Sequence, residues 1–179
     1  MNGYDRTSIE DVSVASGVGN GSIYAAYGSK LGLFLAVFSR YCAGRVELVD
    51  SVVSAHTGDF ESTVANYLDE IVADCTAHDD RRGCLMLNSL AELGSRFPEV
   101  VTVGNRTIAA METVIGDRVS DKVASGEIDL EKGQVEALSA HIVLVSQGLI
   151  SLSHIGVPKA RLSAIAATSS RMTALLGAA

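Results

Sequence analysis

The stretch TSIEDVSVASGVGNGSIYAAYGSK, residues 7–30, decides the fold. Thr7 and Ser8 are both helix-capping residues, and Asp11 stands three positions after Ser8, where a carboxylate complements the free amides of a first turn. Ile9, Val12 and Ala15 then share one helical face. Gly17 falls where a helix needs a left-handed stop, with Val18 as the buried residue of the turn. Asn20 is placed to cap a second short helix carrying Ser22, Ile23, Tyr24, Ala25 and Ala26. Its inward side is Ile23 and Tyr27; its outward side is small or polar and suits a groove better than a core. Gly28 ends that helix, Ser29 caps the next, and Lys30 sits on the new first turn. The spacing predicts a helix-turn-helix feeding a third helix.

Outward from this stretch the pattern stays helical. Phe34, Val37, Phe38, Tyr41, Cys42, Val46, Val49 and Val53 recur at helical spacing to about Ser54. His56 to Asp59 form a break, and Phe60, Val64, Tyr67, Leu68, Ile71, Val72 and Cys75 make another apolar stripe. Asp79, Asp80, Arg81 and Arg82 read as a solvated loop. Gly83 is expected to start a helix, and Pro98 to open one that runs to about Ser125 with Val100, Val103, Ile108, Met111, Ile115 and Val119 inward. After Gly126, the acids of EIDLEKG suit the start of a helix whose seam is Val135, Leu138, Ile142, Val145, Leu149 and Leu152. Val143, Leu144 and Ile150 make that helix apolar nearly all round, so it needs a partner on two sides. Pro158 is expected to start the last helix, with Leu162, Ile165, Met172 and Leu176 on one face and a shallow surface of Ala166, Ala167, Ser169 and Ser170. With two prolines and scarcely any alternating pattern, the class is all-α.

Composition narrows the function. A chain of 179 residues can bury a sizeable core in one or two domains. Its net charge of −7 argues against a broad basic surface for nucleic acid. In residues 1–30 the basic side chains are Arg6 and Lys30, against Asp5, Glu10 and Asp11; this weakens phosphate neutralisation more than base readout. Three unclustered cysteines and the scattered His78, His141 and His154 suggest neither disulfide framework nor metal site. No nucleophile elbow, phosphate loop or supported carboxylate pair is present, so neither a cofactor nor an enzyme is expected. Without a signal-peptide pattern or an apolar run approaching bilayer length, the chain is expected in the cytoplasm and off the membrane. Cys84 falls at an expected helix N-terminus near Arg81 and Arg82, which favours a thiolate and makes it a candidate redox sensor; its plain alternative is a small buried hydrophobe.

The run Gly3, Tyr4, Thr7, Ser8, Ile9, Ala15, Gly17, Val18, Gly21, Ser22, Ile23, Tyr24, Tyr27, Ser29, Lys30, Leu33 and Phe34 resembles the DNA-binding domain of TetR-family transcriptional regulators. Gly83, Cys84, Leu85, Asn88, Glu92, Phe97, Pro98, Glu99 and Val100 resemble the body of one subgroup of that family. The resemblance implies a helix-turn-helix head over residues 1–45 and a larger helical ligand-binding and dimerisation body over 46–179, with the third helix as the lever between them. It implies a repressor that binds a palindromic double-stranded DNA operator as a homodimer and is released by a small, largely apolar effector. Thr7, Ser8, Asn20, Gly21, Ser22, Tyr24, Ala25, Tyr27 and Lys30 would contact DNA. Tyr67, Ile71, Met86, Leu90, Met111, Ile115 and Gln147 would line the effector site. Leu138, Ile142, Val145, Leu149, Leu152, Leu162, Ile165 and Met172 would form the dimer interface, and some similar proteins use a cysteine near Cys84 to sense oxidants or electrophiles. Such proteins usually carry a helix before Gly3 and Tyr4, where this sequence has Met1 and Asn2, so Ile9, Val12 and Ile23 are expected to lose cover and the head to be loosened. The alternative is a helical dimeric ligand or thiol-redox sensor that does not bind DNA in this form.

Overall fold

The computed structural model describes residues 3–77 and 82–177, with side chains through Thr173. The readings of His78, Asp79, Asp80, Arg81 and the Leu176 side chain lie outside the described residues. Eight helices and no strand occur among those described: α1 (Ile9–Ser16), α2 (Asn20–Tyr27), α3 (Lys30–Ala55), α4 (Phe60–Thr76), α5 (Leu85–Leu93), α6 (Pro98–Ala124), α7 (Lys132–His154) and α8 (Lys159–Gly177). The all-α class expected from the pattern is the class found.

Local chemistry fixes most of the ends. Ser8 Oγ accepts from Asp11 N at 3.0 Å while Asp11 Oδ2 accepts from Ser8 N at 2.7 Å, a complete capping box. Gly17 stops α1 at φ 72°, a left-handed conformation that costs a residue with a Cβ about 1–2 kcal/mol. Ser29 caps α3 through Gly32 N, and Asp59 caps α4 through Ser62 N. Gly32 is obligatory, since a Cβ there would meet the Tyr27 carbonyl oxygen at 2.0 Å. Several details differ from expectation. Gly19, not Asn20, is the N-cap of α2, and no side chain caps it. Gly83 lies outside α5 with φ 69°, and Cys84 is the cap. The last helix begins at Lys159, the Pro158 carbonyl accepting from Arg161 and Leu162.

The core lies between α3, α4, α6, α7 and α8. Phe38, Val49, Leu68, Val72, Met86, Val100, Val119, Ile142, Leu149 and Leu162 are its most enclosed apolar side chains. Val37, expected inward, is instead exposed on α3, and Val103 and Ile108 of α6 are only half-buried because Gly104 and Thr107 occupy the inner positions. Gly104 lets α5 approach: a Cβ there would meet Leu90 Cδ2 at 2.8 Å. Contrary to the expectation about apolar runs, α7 is long and apolar enough to cross a bilayer, with mean hydropathy 1.5. It is packed among α4, α6 and α8 with Leu138, Ile142, Val143, Leu149 and Ile150 buried, as a core helix is.

A polar staple closes the body beneath the α3–α4 break. Lys122 Nζ donates to the Gly58 carbonyl at 2.7 Å and to Glu127 Oε2 at 2.6 Å, while Glu127 Oε1 accepts from Phe60 N. The Lys122 ammonium holds the Glu127 carboxyl below its usual range. Because the folded value is the depressed one, this stabilisation is present above the unfolded pKa and disappears as pH falls through the folded pKa. Glu127→Gln is therefore expected to flatten the acid limb of a plot of melting temperature against pH; an unchanged acid limb would remove the staple from the account.

Candidate nucleic-acid interface and interior site

α2 is an eight-residue helix anchored by one buried side chain, Ile23. Asn20, Gly21, Ser22, Tyr24, Ala25 and Tyr27 are all exposed. Tyr27, read as inward, is 43% exposed, and Val18, read as the buried turn residue, is 45% exposed, because one isoleucine suffices to seat so short a helix. The α2 axis meets α3 at 71°, so α2 projects away from the long helix that carries it.

The other sequence-named contacts are less available. Thr7 Oγ1 donates to the Gly3 carbonyl at 3.1 Å, and Ser8 Oγ donates to Asp11 Oδ2 at 2.7 Å. Phosphate oxygens only accept, so a hydroxyl whose proton is already engaged must break that bond to serve. Lys30 is half-buried with its ammonium 4.4 Å from the Tyr4 ring centroid, a cation–π contact that leaves its charge near the surface. Ile9 and Ile23 are buried as they stand, and Val12 is half-buried. Beside them runs an apolar groove of about 260 Å³ lined by Tyr4, Ile9, Val12, Leu33, Phe34 and Val37. Amide exchange is expected to be faster over residues 7–28 than over α7; equal protection would show the head to be as rigid as the body.

The head is fastened to the body by a cluster that sequence reasoning did not identify. Tyr4 makes edge contacts with Phe34 at 5.2 Å and Phe97 at 5.5 Å, and Phe34 stacks on Phe38 at 5.5 Å. Around it, Arg96 Nη1 and Nη2 donate to Asp5 at 2.7 and 3.1 Å. The hydrogen bond and charge of Arg96 hold the Asp5 carboxyl below its ordinary range. Arg96 and Phe97 occupy the corner between α5 and α6, so the segment leading into α1 is tied to the end of α5.

Of the interior candidates, Tyr67, Ile71, Met86, Met111 and Ile115 are buried, and Leu90 and Gln147 are half-buried. The structure does not gather all seven. Tyr67 and Ile115 line one cavity between α4, α6 and α7, together with Arg118, which the sequence did not single out. Gln147 Nε2 reaches Met111 Sδ at 3.9 Å and Ser146 Oγ at 3.3 Å, while its Oε1 is buried without a partner. Tyr67 Oη is also buried without a hydrogen bond of normal geometry, although the Ser146 hydroxyl lies beside it, and burial pushes the phenol's pKa up. Met86 and Leu90 belong to α5, away from this cavity.

The dimer seam read from α7 and α8 requires correction. Leu138, Ile142, Leu149 and Leu162 are at most 4% exposed within a single chain; Val145, Leu152 and Ile165 are half-buried against the same core. The four buried side chains belong to the protomer's interior. The outward stripe of α7 is His141, Leu144 and Ser151, with half-buried Gly148 among them and exposed Ile155 at the C-cap; Leu144 is 68% exposed, and Met172 projects from α8.

Cys84 is buried and accepts a hydrogen bond from Tyr41 Oη at 3.5 Å. It lines a cavity of about 200 Å³ with Tyr41, Arg45, Asp74, Cys75 and Arg82. Tyr41 Oη also accepts from Leu85 N at 3.3 Å, and burial raises its pKa. Among the described residues no group of three or more metal-binding side chains occurs.

Comparison with known proteins accords with this geometry. Residues 2–37 match the model of the bacterial regulatory proteins of the tetR family. The chain is 26% identical over 172 residues to the HTH-type transcriptional repressor ComR of Escherichia coli, covering 96% of this chain and 81% of that one. It is 27% identical, with a TM-score of 0.75 and 94% and 87% coverage, to a cysteine-substituted form of the TetR family regulator CifR solved with 26-base-pair double-strand operator DNA. The fold is also that of a TetR family regulator from Cytophaga hutchinsonii, with a TM-score of 0.80 at 15% identity and 99% and 88% coverage. Its helix-turn-helix thus matches the tetR family model, and nearly its whole length is similar to regulators of that family.

Proposed function

We propose that this protein is a DNA-binding transcriptional repressor in the cytoplasm, acting as a homodimer on a palindromic operator and leaving it when a small, largely apolar molecule enters the body. The observation that carries the reading is α2, a helix held by Ile23 alone that presents Asn20, Gly21, Ser22, Tyr24 and Ala25 outward. Gly21 and Ala25 permit close approach to base edges and contact with a thymine methyl; Ser22, Tyr24 and Tyr27 supply hydroxyl donors for phosphates, and Lys30 supplies charge. Residues 1–45 form the head in this reading and 46–179 the body, the division falling inside the continuous α3.

The test is a fluorescence-anisotropy titration of duplex from upstream of the gene, with unrelated duplex as competitor. Saturable, competitor-resistant binding at two protomers or a multiple per site supports the reading; binding abolished by competitor sinks it. With so few cations in the head, affinity is expected to fall less steeply with salt than for a basic-surfaced protein.

For the dimer, the outward stripe of α7 supplies the apolar surface and Gly148 the close approach, since nothing lies within 4 Å of a Cβ placed there. Leu144→Arg is expected to convert the dimer to monomer in sedimentation while the melting of the protomer changes little; a persisting dimer would place the interface elsewhere. The Arg96–Asp5 and Phe97–Tyr4 contacts brace the head against the corner between α5 and α6, beside the continuous α3 that joins head to body.

A second reading, a thiol sensor that does not bind DNA, is favoured by the cavity that places Cys84 beside Arg45 and Arg82. Rapid alkylation of Cys84 by N-ethylmaleimide in the folded protein, together with no operator binding, would favour it. A Cys84 thiol that reacts no faster than in a burial-limited control would mark it as core.

A further inference from the structure

Arg118 is a cation set into the body with no carboxylate of the described residues within ion-pairing distance. Its Nη2 donates to the His56 carbonyl at 2.6 Å, and its Nε is buried with no hydrogen-bond partner. The neighbouring ammonium, Lys122, by contrast has its acid in Glu127. Arg118 shares its cavity with Val53, Phe60, Val64, Ile115, Val119 and Ile142, an apolar wall, and with Tyr67, which is 2% exposed and has an unpaired hydroxyl. Thr63 also lines it, but its hydroxyl already donates to the Asp59 carbonyl at 2.7 Å. Two unused donors therefore stand in one apolar enclosure, and one of them is charged.

Arg118 is half-buried, with its Nε enclosed; a partly desolvated guanidinium without a counter-ion is costly, and an unpaired buried hydroxyl adds to the cost. An anion removes both penalties at once, because a carboxylate accepts at both oxygens from a guanidinium and can take a further bond from a phenol. A neutral apolar molecule removes neither, and a cation makes the first worse. We propose that the effector of this protein is an apolar molecule bearing a carboxylate, that Arg118 receives the carboxylate, and that Tyr67 Oη donates to it. This rests on the ligand-responsive reading of the preceding section and specifies its ligand class.

The enclosure leaves only about 10 Å³, about one water molecule, so the ligand enters by displacing side chains. A surface groove of about 330 Å³ between α3 and α4, lined by Leu48, Val52 and Ile71, also has Tyr67 in its wall. Tyr67 thus separates the groove from the enclosure, and its movement both opens the site and brings its hydroxyl to the incoming carboxylate. Because Arg118 holds the His56 carbonyl directly after α3, an anion that draws the guanidinium inward also pulls on the end of the helix that carries the head.

The probes are octanoate, 1-octanol and octylamine, which share a tail and differ in head charge. Each is titrated calorimetrically into the full-length protein and then into its operator complex, with Arg118→Met, Arg118→Lys and Tyr67→Phe as variants. Octanoate is expected to bind saturably, at least tenfold more tightly than 1-octanol, with octylamine weakest. Arg118→Met is expected to abolish that preference, Arg118→Lys to retain part of it, and Tyr67→Phe, which deletes only the hydroxyl, to reduce it several-fold. The order of the three heads in the unaltered protein needs no variant to fold. Equal binding of octanoate and 1-octanol, no binding of any probe, or an octanoate preference that survives Arg118→Met overturns the proposal. If 1-octanol or octylamine binds best and releases operator, the ligand class is wrong and the repressor reading stands. If octanoate binds through Arg118 and operator affinity is unchanged, the site stands and the regulatory reading fails.

Discussion

Ala25→Glu is expected to abolish operator binding while leaving the protein as stable as before. Ala25 is exposed on α2, two positions from its single buried anchor, Ile23. Glutamate is nearly as good a helix former as alanine, so the change in melting temperature is expected to stay within about 2 °C. Against DNA the effect is large. A carboxylate brought near phosphates meets repulsion of about 1 kcal/mol or more at contact distance, it also displaces the close approach that a small residue permits, and a dimer suffers both twice. Together these predict a loss of about a hundredfold or more in affinity. Anisotropy titration beside a melting curve separates the two quantities. Undiminished binding would mean that α2 does not enter the groove, and a collapsed melting temperature would mean that Ala25 supports the fold.

The second large effect is on stability. Phe38 is fully buried on α3, stacked on Phe34, which in turn meets Tyr4. Phe38→Ala is expected to cost about 3–5 kcal/mol, from lost transfer energy and the cavity left behind. Domains of this kind are stable by roughly 5–15 kcal/mol in all, so the melting temperature is expected to fall by roughly 10 °C. Phe38→Leu, which preserves most of the volume, is expected to lose far less. Urea denaturation of the three proteins measures the difference. If Phe38→Ala and Phe38→Leu cost the same, the aromatic stack contributes nothing that a smaller apolar side chain cannot.

The helix ends were legible because each is set by chemistry a few residues wide. Ser8 with Asp11, Gly17, Gly28, Ser29 and Pro98 act locally, and sequence displays local partners. Gly19 was missed as a cap because it works by conformation alone, whereas Asn20 beside it carries the side chain that usually signals one. The face of α7 was misread for a different reason. Leu138, Ile142, Val145 and Leu149 repeat by threes and fours, but so do His141, Leu144, Gly148 and Ile155, and periodicity fixes the repeat without choosing between two stripes. Only packing against α4, α6 and α8 chooses.

The candidate sites divide in the same way. The residues of α2 could be named because they are adjacent in sequence and share an element. Arg118 could not, because its significance lies in what is missing around it. An arginine in a long helix looks solvated on the page, and only the fold shows it beside Tyr67 without an acid. Nothing in the identity of Thr7 and Ser8 tells that their protons are already engaged by Gly3 and Asp11. Asp5 and Arg96 lie 91 residues apart, and no local pattern joins them.

The unbroken course of α3 has a geometric consequence. At 1.5 Å per residue its 26 residues make a rod about 39 Å long, with α2 at one tip and the His56 carbonyl held by Arg118 at the other. A tilt of about 5° about the inner tip sweeps the outer one through about 3.4 Å, which is the rise of one nucleotide along a strand. In the proposed dimer, two such rods tilting in opposite senses would alter the span between reading helices by about two steps of the duplex. Release from DNA in the proposed repressor would therefore need no large rearrangement: a tilt of about 5° in each long helix would put the two heads out of phase with the grooves.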